Sequence, residues 1–589
     1  MSKQYTVQSP EVALNTKKKV KQKTSFVDLL HKTLIVLMVL GLVVALIFPL
    51  IQLILVSLQD RSGSFVGLEN FINYFTTSSL IQPLFNTLFV ASATGIISVT
   101  LGFFYAYALT RTNMPWKPFF RYVAFVPLFA PTMMYGIGLV HLFGNNGVVT
   151  TGFFGMFQGI DINLYGPVGI IISLIFYTFP QTFLLLTISL SNTDYRLYEA
   201  ADSLGSGVVK KFFSVTLPSV KYGLFSAFII GFILSFTDFG APIVVGGDFK
   251  VMAVDIYQQV VGQFNMSMGA TVGVILIIPA VIAFIADQLV QRKESSSITA
   301  KSVSYKIKEN PVRDRVYFTY CLLIMGAIFL LMVAVLVPTF VKYWPYDFSF
   351  TTAHFTFENV IGGFKPYYTS LLMAVITATA GTLIVFIGAY LIEKTRFMRT
   401  TRKVGYLFSI MPLALPGLAI GLAYIFFFNQ AEFAIPFTNI AITNPLQGLY
   451  GTIWILVLAN LIHFYAVNFF TATTALKKLD KEFEPVSESM NVPFYKTFVR
   501  VTVPMSLPAI LEMMVYFFVN SMTTISAVIF LYSPDTRPAS VAIVDMVGAG
   551  NMSAAAAMAV IILLTNIVVR VAYEFITKKV RKRASAWQQ

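Results

Sequence analysis

Apolar and polar residues in this chain do not interleave; they come in blocks. Twelve stretches are predominantly apolar, at roughly 33–58, 86–110, 121–144, 166–190, 222–246, 267–290, 317–341, 369–392, 405–428, 449–473, 508–532 and 553–576. Each holds the roughly 20 apolar residues that a membrane-crossing helix requires. The runs are continuous rather than alternating, which excludes transmembrane strands of about ten residues. The first run exceeds the ~7–15-residue core of a secretory signal, and no small-residue cleavage site follows it. It is expected to stay as an anchor.

Composition agrees with that pattern. Of 589 residues, 56% are hydrophobic and 12% charged, against about 25% charged in a typical soluble domain. A soluble enzyme and a disordered protein are excluded. The net charge of +15 invites a nucleic-acid reading, and the placement of the cations removes it. With both termini on one side, 37 of the 42 Lys and Arg residues fall on that side; the other keeps only Arg61, Lys250, Lys342, Lys365 and Arg537. Short loops retain Lys and Arg in the cytoplasm, so the charge reports topology, the partner is a lipid bilayer, and no nucleic acid is implied. The lone Cys321 excludes disulfides.

An internal repeat is visible by eye. PLFAPTMMYG, with Pro127, Pro131 and Gly136, returns as PLALPGLAIG, with Pro412, Pro416 and Gly421, a shift of 285. Ala106-Tyr107 returns as Ala389-Tyr390 at 283, and Val215–Pro218 (VTLP) as Val501–Pro504 (VTVP) at 286. Six spans is an even number, so both copies enter the bilayer in the same sense. The fold class expected is an all-α polytopic membrane protein of twelve transmembrane helices in two parallel six-helix repeats. Its domains are a basic tail (1–32), a first half (33–290), a cytoplasmic linker (291–316), a second half (317–580) and a short tail (581–589). The linker, rich in Lys and Ser, reads as a flexible tether.

The loop between spans 4 and 5 reads LYEAADSLGSGVVKKFFSVTLPSV. Glu199 and Asp202 supply negative charge at the start of a short helix, where the macrodipole favours it. Ala200 and Ala201 allow close approach by another surface. Gly205 and Gly207 end the helix in a tight turn. An amphipathic stretch follows, and Leu217-Pro218 stops it before the next span. On shape alone this is a helix–turn–helix suited to a groove on a partner, or an ordinary amphipathic loop.

The spacing E-A-A, three residues, G, nine residues, a β-branched aliphatic, one residue, L-P resembles the EAA loop of binding-protein-dependent ABC importer permeases, with Val215 in the place of the usual Ile. The resemblance spans both halves, about residues 33–580, and is that of permeases with two fused halves, which serve ferric iron, thiamine or 2-aminoethylphosphonate. It implies a type I importer permease fold, with Glu199, Ala200, Ala201, Asp202, Gly205, Leu217 and Pro218 docking on an ATP-binding cassette ATPase subunit, two copies of which serve the complex. In the second copy Glu199 becomes Pro485 and Gly205 becomes Asn491, while Glu484 and Glu488 keep acidity nearby and Pro504 remains. This copy reads as a second docking loop with weaker contacts. The chain carries no GxxxxGK[ST] loop, so ATP hydrolysis belongs to a separate subunit. No external loop is large enough for a receptor domain, so an extracytoplasmic solute-binding protein is the second expected partner.

Ionisable residues at membrane depth are functional candidates. Asp238, after Thr237 in span 5, either lines the solute path or caps a frayed helix end; its counterpart is Thr524. Glu512 either faces the path or snorkels. His141 and His463 read as packed histidines. The scattered histidines and single cysteine give no metal-ligand spacing, so no cofactor is expected. Pro127, Pro131, Pro412 and Pro416 should kink helices that line a cavity. Ferric iron is the first substrate expected and 2-aminoethylphosphonate the second. The rival is a twelve-helix ion-coupled secondary transporter, which requires several midplane carboxylates and leaves the EAA loop unexplained.

Overall fold

In lipid, every backbone N–H and C=O must find an internal partner, so apolar runs of this length fold as helices. A computed structural model describes residues 26–297, 303, 305–357, 362–395, 398–434, 441–480, 482–490 and 492–585. Among these, eight helices are long and apolar enough to cross a membrane, and four bent pairs bring the number to twelve. The eight are Leu29–Ser57, Ser78–Arg111, Pro167–Ser191, Met266–Gln291, Pro311–Thr339, Lys365–Glu393, Phe494–Thr523 and Met552–Lys578, which form spans 1, 2, 4, 6, 7, 8, 11 and 12. Span 11 begins well before the apolar run at 508, inside the preceding loop, and ends at Thr523; the apolar residues 525–532 form buried turns instead of helix.

The bent pairs are Lys117–Phe129 with Thr132–Phe143 (100°, span 3) and Arg399–Ala414 with Gly417–Phe428 (113°, span 9), then Val208–Ser219 with Lys221–Thr237 (65°, span 5) and Ile453–His463 with Tyr465–Lys478 (55°, span 10). The proline pairs therefore do more than kink. Pro127 and Pro412 sit in single 3-10 turns, Val126–Phe129 and Met411–Ala414, and Pro131 and Pro416 follow in extended backbone. Proline lacks the N–H that would continue the helix, and it biases the preceding residue to extended backbone. The repeat extends to other irregular features: Trp116 and Met398, which precede the two bent pairs, are both left-handed, at φ +60° and +50°.

The two sequence halves are not two packing units. Span 1 lies on the second half, where Tyr424 Oη donates to Ala45 O (2.7 Å) and Gln52 Nε2 to Gln430 Oε1 (2.9 Å). A Cβ on Gly405 would fall 2.8 Å from Met38 Cε. Span 7 lies on the first half: Tyr320 Oη donates to Leu101 O (2.8 Å), and Phe318 meets Phe120 edge-on at 5.6 Å. Each half lends its first helix to the other. Among the described residues two short antiparallel strand pairs, Val341–Tyr343 with Asp347–Phe350 and Glu432–Ala434 with Ala441–Thr443, follow spans 7 and 9 on the lysine-poor side.

Candidate functional site: two loops and a broken path

The first loop opens with the helix Arg196–Ser203. Asp194 Oδ1 accepts from Arg196 N at 3.0 Å, and that hydrogen bond holds its carboxyl below the usual range. Tyr198 and Ala201 are buried, while Glu199, Ala200 and Leu204 face out. Gly205 N donates to Asp202 O (2.9 Å) and Ser206 N to Ala201 O (3.0 Å), with Gly205 at φ +67°. This pair of bonds around a left-handed glycine is a Schellman end. Gly207, at φ −67°, is instead an extended residue that begins the next helix.

Asp202 is not at the helix start. It sits in the last turn, where the macrodipole disfavours a carboxylate, and two cations offset this: Lys211 Nζ and Lys308 Nζ each lie 2.6 Å from its oxygens. Hydrogen bonds from Lys211 and then Lys308 bring its pKa down to about 2. The amphipathic stretch ends just after Leu217-Pro218, at Ser219, ahead of the 65° bend into Lys221–Thr237. The chain forms one π-turn, Phe212–Thr216, closed by Leu217 N on Phe212 O, and runs on to Ser219. A missing proline N–H leaves the normal i to i−4 pairing incomplete, and a wider turn absorbs it.

The second loop repeats this geometry. Its helix Phe483–Ser489 carries Glu484 in the first turn; Glu488 belongs to that helix, and its side chain lies outside the described residues. Val492 N donates to Ser487 O at 2.9 Å, the counterpart of the Ser206 bond. Asn491 lies outside the described residues; asparagine is the residue that most often replaces glycine at such a helix end. Before Pro504 the π-turn Phe498–Thr502 closes through Val503 N on Phe498 O.

Both loops display an apolar ridge that motif positions alone do not mark. In the first, Leu204 is 82% exposed, Val208 76%, Val209 71% and Phe213 62%; in the second, Met490 is 71% exposed, Val499 61%, Val486 52% and Tyr495 50%. Leu204 and Met490, Val209 and Tyr495, and Phe213 and Val499 are pairs at the 286 shift, which is the signal that identifies them in sequence. Exposed apolar patches of this kind mark contact surfaces.

Beneath each loop a basic residue at the end of span 2 or span 8 forms the joint. Arg111 Nη2 donates to Leu190 O (2.6 Å) and to the Thr193 hydroxyl, with its guanidinium 3.9 Å from the Tyr305 ring centre and 5.8 Å from that of Tyr198. Its counterpart Lys394 donates to Leu479 O (3.4 Å) and Asp480 O (3.3 Å) and pairs with Glu484 at 3.4 Å.

At membrane depth the breaks of neighbouring spans meet. Thr237 ends the helix of span 5, and Asp238 Oδ2 accepts from Ala241 N (2.9 Å), capping the short helix Gly240–Val245. A Cβ on Gly240 would collide with the Thr132 hydroxyl, just past Pro131. Thr524 holds the same place after span 11, where its carbonyl accepts from Ser540 Oγ (2.7 Å); there a Cβ on Gly417, next to Pro416, would collide with Ser526 Oγ. The opened backbone of span 3 finds partners: Pro127 O accepts from the Tyr135 hydroxyl, and Phe129 O from Asn566 Nδ2 of span 12 (2.9 Å). Glu512 does not simply snorkel. It accepts from Arg570 Nη1 (3.0 Å) and from the Tyr573 hydroxyl. His141 packs against Trp344 with ring centres 5.8 Å apart, and His463 against Phe464 at 4.5 Å. Among the described residues no three His, Cys, Asp or Glu side chains converge to hold a metal ion.

Comparison with known proteins matches two stretches, residues 98–296 and 385–582, to the family described as binding-protein-dependent transport system inner membrane component. The chain is 25% identical over 547 residues, 91% of its length and 77% of the relative's, to the ferric transport system permease protein FbpB of Actinobacillus pleuropneumoniae. It is 26% identical over 503 residues, 84% of its length and 76% of the relative's, to the putative ferric transport system permease protein FbpB 1 of Haemophilus influenzae. The probable sulfate transport system permease protein cysT of Prototheca wickerhamii is 29% identical over 212 residues, 77% of that protein and 35% of this chain. That shorter permease thus matches about a third of this chain. The family model covers well over half of the residues in two copies, so the chain belongs to the binding-protein-dependent transport system inner membrane components, with two permease units fused in one polypeptide.

Proposed function

We propose that this chain is the permease subunit of an ATP-driven importer of ferric iron, seated in a prokaryotic plasma membrane with both termini in the cytoplasm. The observation that carries the reading is the pair of apolar ridges on the lysine-rich side, three residues of each matched at the 286 shift. Two ATPase subunits take one ridge each, and the chain itself hydrolyses no ATP. The π-turns and the 65° bend pass a displacement of the first ridge into span 5, whose far end is the Asp238 break against Pro131. Motion there loosens the Asp238 cap and opens the path between the halves. The lysine-poor face receives the loaded binding protein. Ferric iron as substrate rests on the names of the relatives, with iron passing as cargo.

The test is uptake into proteoliposomes holding the chain, its ATPase and its binding protein. ATP-dependent accumulation of ferric iron is expected. Uptake driven by an ion gradient without ATP would overturn the mechanism. ATP-dependent uptake of 2-aminoethylphosphonate without iron would overturn the substrate alone.

A further inference from the structure

The linker between the halves is not only a tether. Residues 303 and 305–310 form neither helix nor strand and contact the base of the first loop. Tyr195 N donates to Val303 O (3.0 Å), and Val303 N to Asp194 Oδ1 (3.3 Å), a two-sided backbone clasp at the start of the helix Arg196–Ser203. Tyr305 then meets Tyr195 edge-on at 5.4 Å and Tyr198 at 5.0 Å, with the Arg111 guanidinium 3.9 Å from its centre. Its ring fills the joint between the end of span 2 and the first loop. Three residues on, Lys308 reaches Asp202 in the last turn of the same helix at 2.6 Å. The strap therefore holds both ends of that helix.

Its far end is equally fixed. Arg313 Nη2 donates to Lys308 O (2.7 Å), and the Asn310 side chain accepts from Arg313 N (3.0 Å), capping span 7. Span 7 is seated on spans 2 and 3 through Tyr317 on Tyr107 (5.2 Å), Phe318 on Phe120 and the Tyr320 bond to Leu101. The contacts of Tyr305, Lys308 and Asn310 thus join the first loop to span 7 by a route separate from span 5. Among the described residues the second loop has no such strap; it is met instead by His31 of the first helix, whose ring lies 3.6 Å from that of Phe494.

We infer that residues 303 and 305–310 act as a built-in coupling strap, in which Tyr305 and Lys308 are positioning residues that fix the first loop against the ATPase and transmit its motion directly to span 7. The inference rests on the importer reading above. It makes the two ATPase contacts unequal by construction: the first loop is tied to span 7 by an anchored segment with backbone, ring and charge contacts, the second to span 1 by a ring contact.

The test uses the complete complex in proteoliposomes, with ATP hydrolysis and solute uptake measured together. For Tyr305→Ala combined with Lys308→Ala, uptake per ATP hydrolysed is expected to fall by about fivefold or more, the scale of a typical coupling between sites, while hydrolysis continues. Tyr305→Phe with Lys308→Arg should restore the ratio. An unchanged ratio in the Ala pair, with the complex assembled, would overturn the strap. A second measurement keeps the natural contacts: a protease site inserted between Ser297 and Val303 is cut after reconstitution. The strap stays attached to span 7, so the ratio should hold; a loss on cutting would show that the covalent tether matters rather than the seat, and would overturn the inference. Failure of the unaltered chain to bind any ATPase would instead sink the importer reading itself.

Discussion

In the first loop the joint beneath the docking helix is a stack, Arg111 under Tyr305 with Tyr198 beside it; in the second it is an ion pair, Lys394 on Glu484 with little solvent access. The backbone around the two joints is the same at a shift of 286, down to the π-turn ahead of each proline. A cation over aromatic faces tolerates sliding and contributes about 0.5–2 kcal/mol. A buried ion pair is directional, and removing one partner strands the other at a cost of about 3–5 kcal/mol. The comparison teaches that the duplicated framework sets where the loops stand, while side chains set how each is held. The first is held by the stack, the backbone clasp and the Asp202 pairs; the second is held by Lys394, through Glu484 and two carbonyls, and by the His31 ring on Phe494.

The largest expected effect lies at the turns. Gly205 stands at φ +67° with open space around it, so a side chain there meets no atom of this chain. A β-branched residue must still adopt a left-handed backbone, at about 1–2 kcal/mol, and it projects toward the docking partner. Gly205→Val is expected to abolish uptake, with ATPase affinity down by about thirtyfold or more, the scale of a docking hot spot. Asn491→Val should only reduce uptake, because that position already carries a side chain in the native complex. Pull-down of the ATPase together with uptake reads both, and equal loss at the two sites would break the asymmetry.

Next in size are the joints. Lys394→Met leaves Glu484 without its partner, and the helix Phe483–Ser489 should lose about a hundredfold of its hydrogen-exchange protection, roughly 3 kcal/mol. Lys394→Met with Glu484→Met should recover most of it, since a matched apolar pair carries no stranded charge. Arg111→Met should loosen the first helix by only about tenfold, because the clasp and the Asp202 pairs remain. Equal loosening of both loops would show that the strap carries none of the holding.

These residues differ in how far the sequence discloses them. Twelve apolar runs are legible because lipid admits few alternatives, and the 285 and 286 shifts mark Pro127 with Pro412 and Val215 with Val501 directly. The severity of the breaks is not legible. A proline pair gives a kink or a 100° break according to whether distant groups such as Asn566 meet the freed carbonyls. The exchange of spans 1 and 7 is hidden for a related reason: hydropathy records that a helix is buried in lipid, not which half it lies on. The only local trace is small residues such as Gly405 and Gly138, which admit Met38 and Leu331 to close approach. Asp202 is misread because Asp194 starts the helix earlier than the acidic residues suggest, moving Asp202 to the final turn. The strap is invisible because Tyr305 and Lys308 sit in a polar linker, with partners more than a hundred residues away.

The smallest effect separates the charge from the stack within the strap. Hydrogen bonds from the Lys211 and Lys308 ammonium groups pull the Asp202 carboxyl down to about 2, below the ordinary aspartate range. A carboxylate with a lowered pKa gives stability that is fully present above its unfolded value and lost as pH falls through the folded one. The Lys308 and Lys211 contacts should therefore be insensitive to pH from 7 to about 5, begin to weaken near 4 and be lost near 2. Cleavage of the linker by pepsin next to Tyr305 reports the seat over this range. Between pH 4 and pH 2 the rate should rise modestly, because acid removes the charge pair and leaves the Arg111–Tyr305 stack. In Asp202→Asn the rise should shrink to the part carried by Asp194, whose carboxylate, also held below the usual range, accepts from Val303 N. An undiminished rise in Asp202→Asn would place the acid-sensitive contact at Asp194 alone and leave Lys308 no share in the anchor.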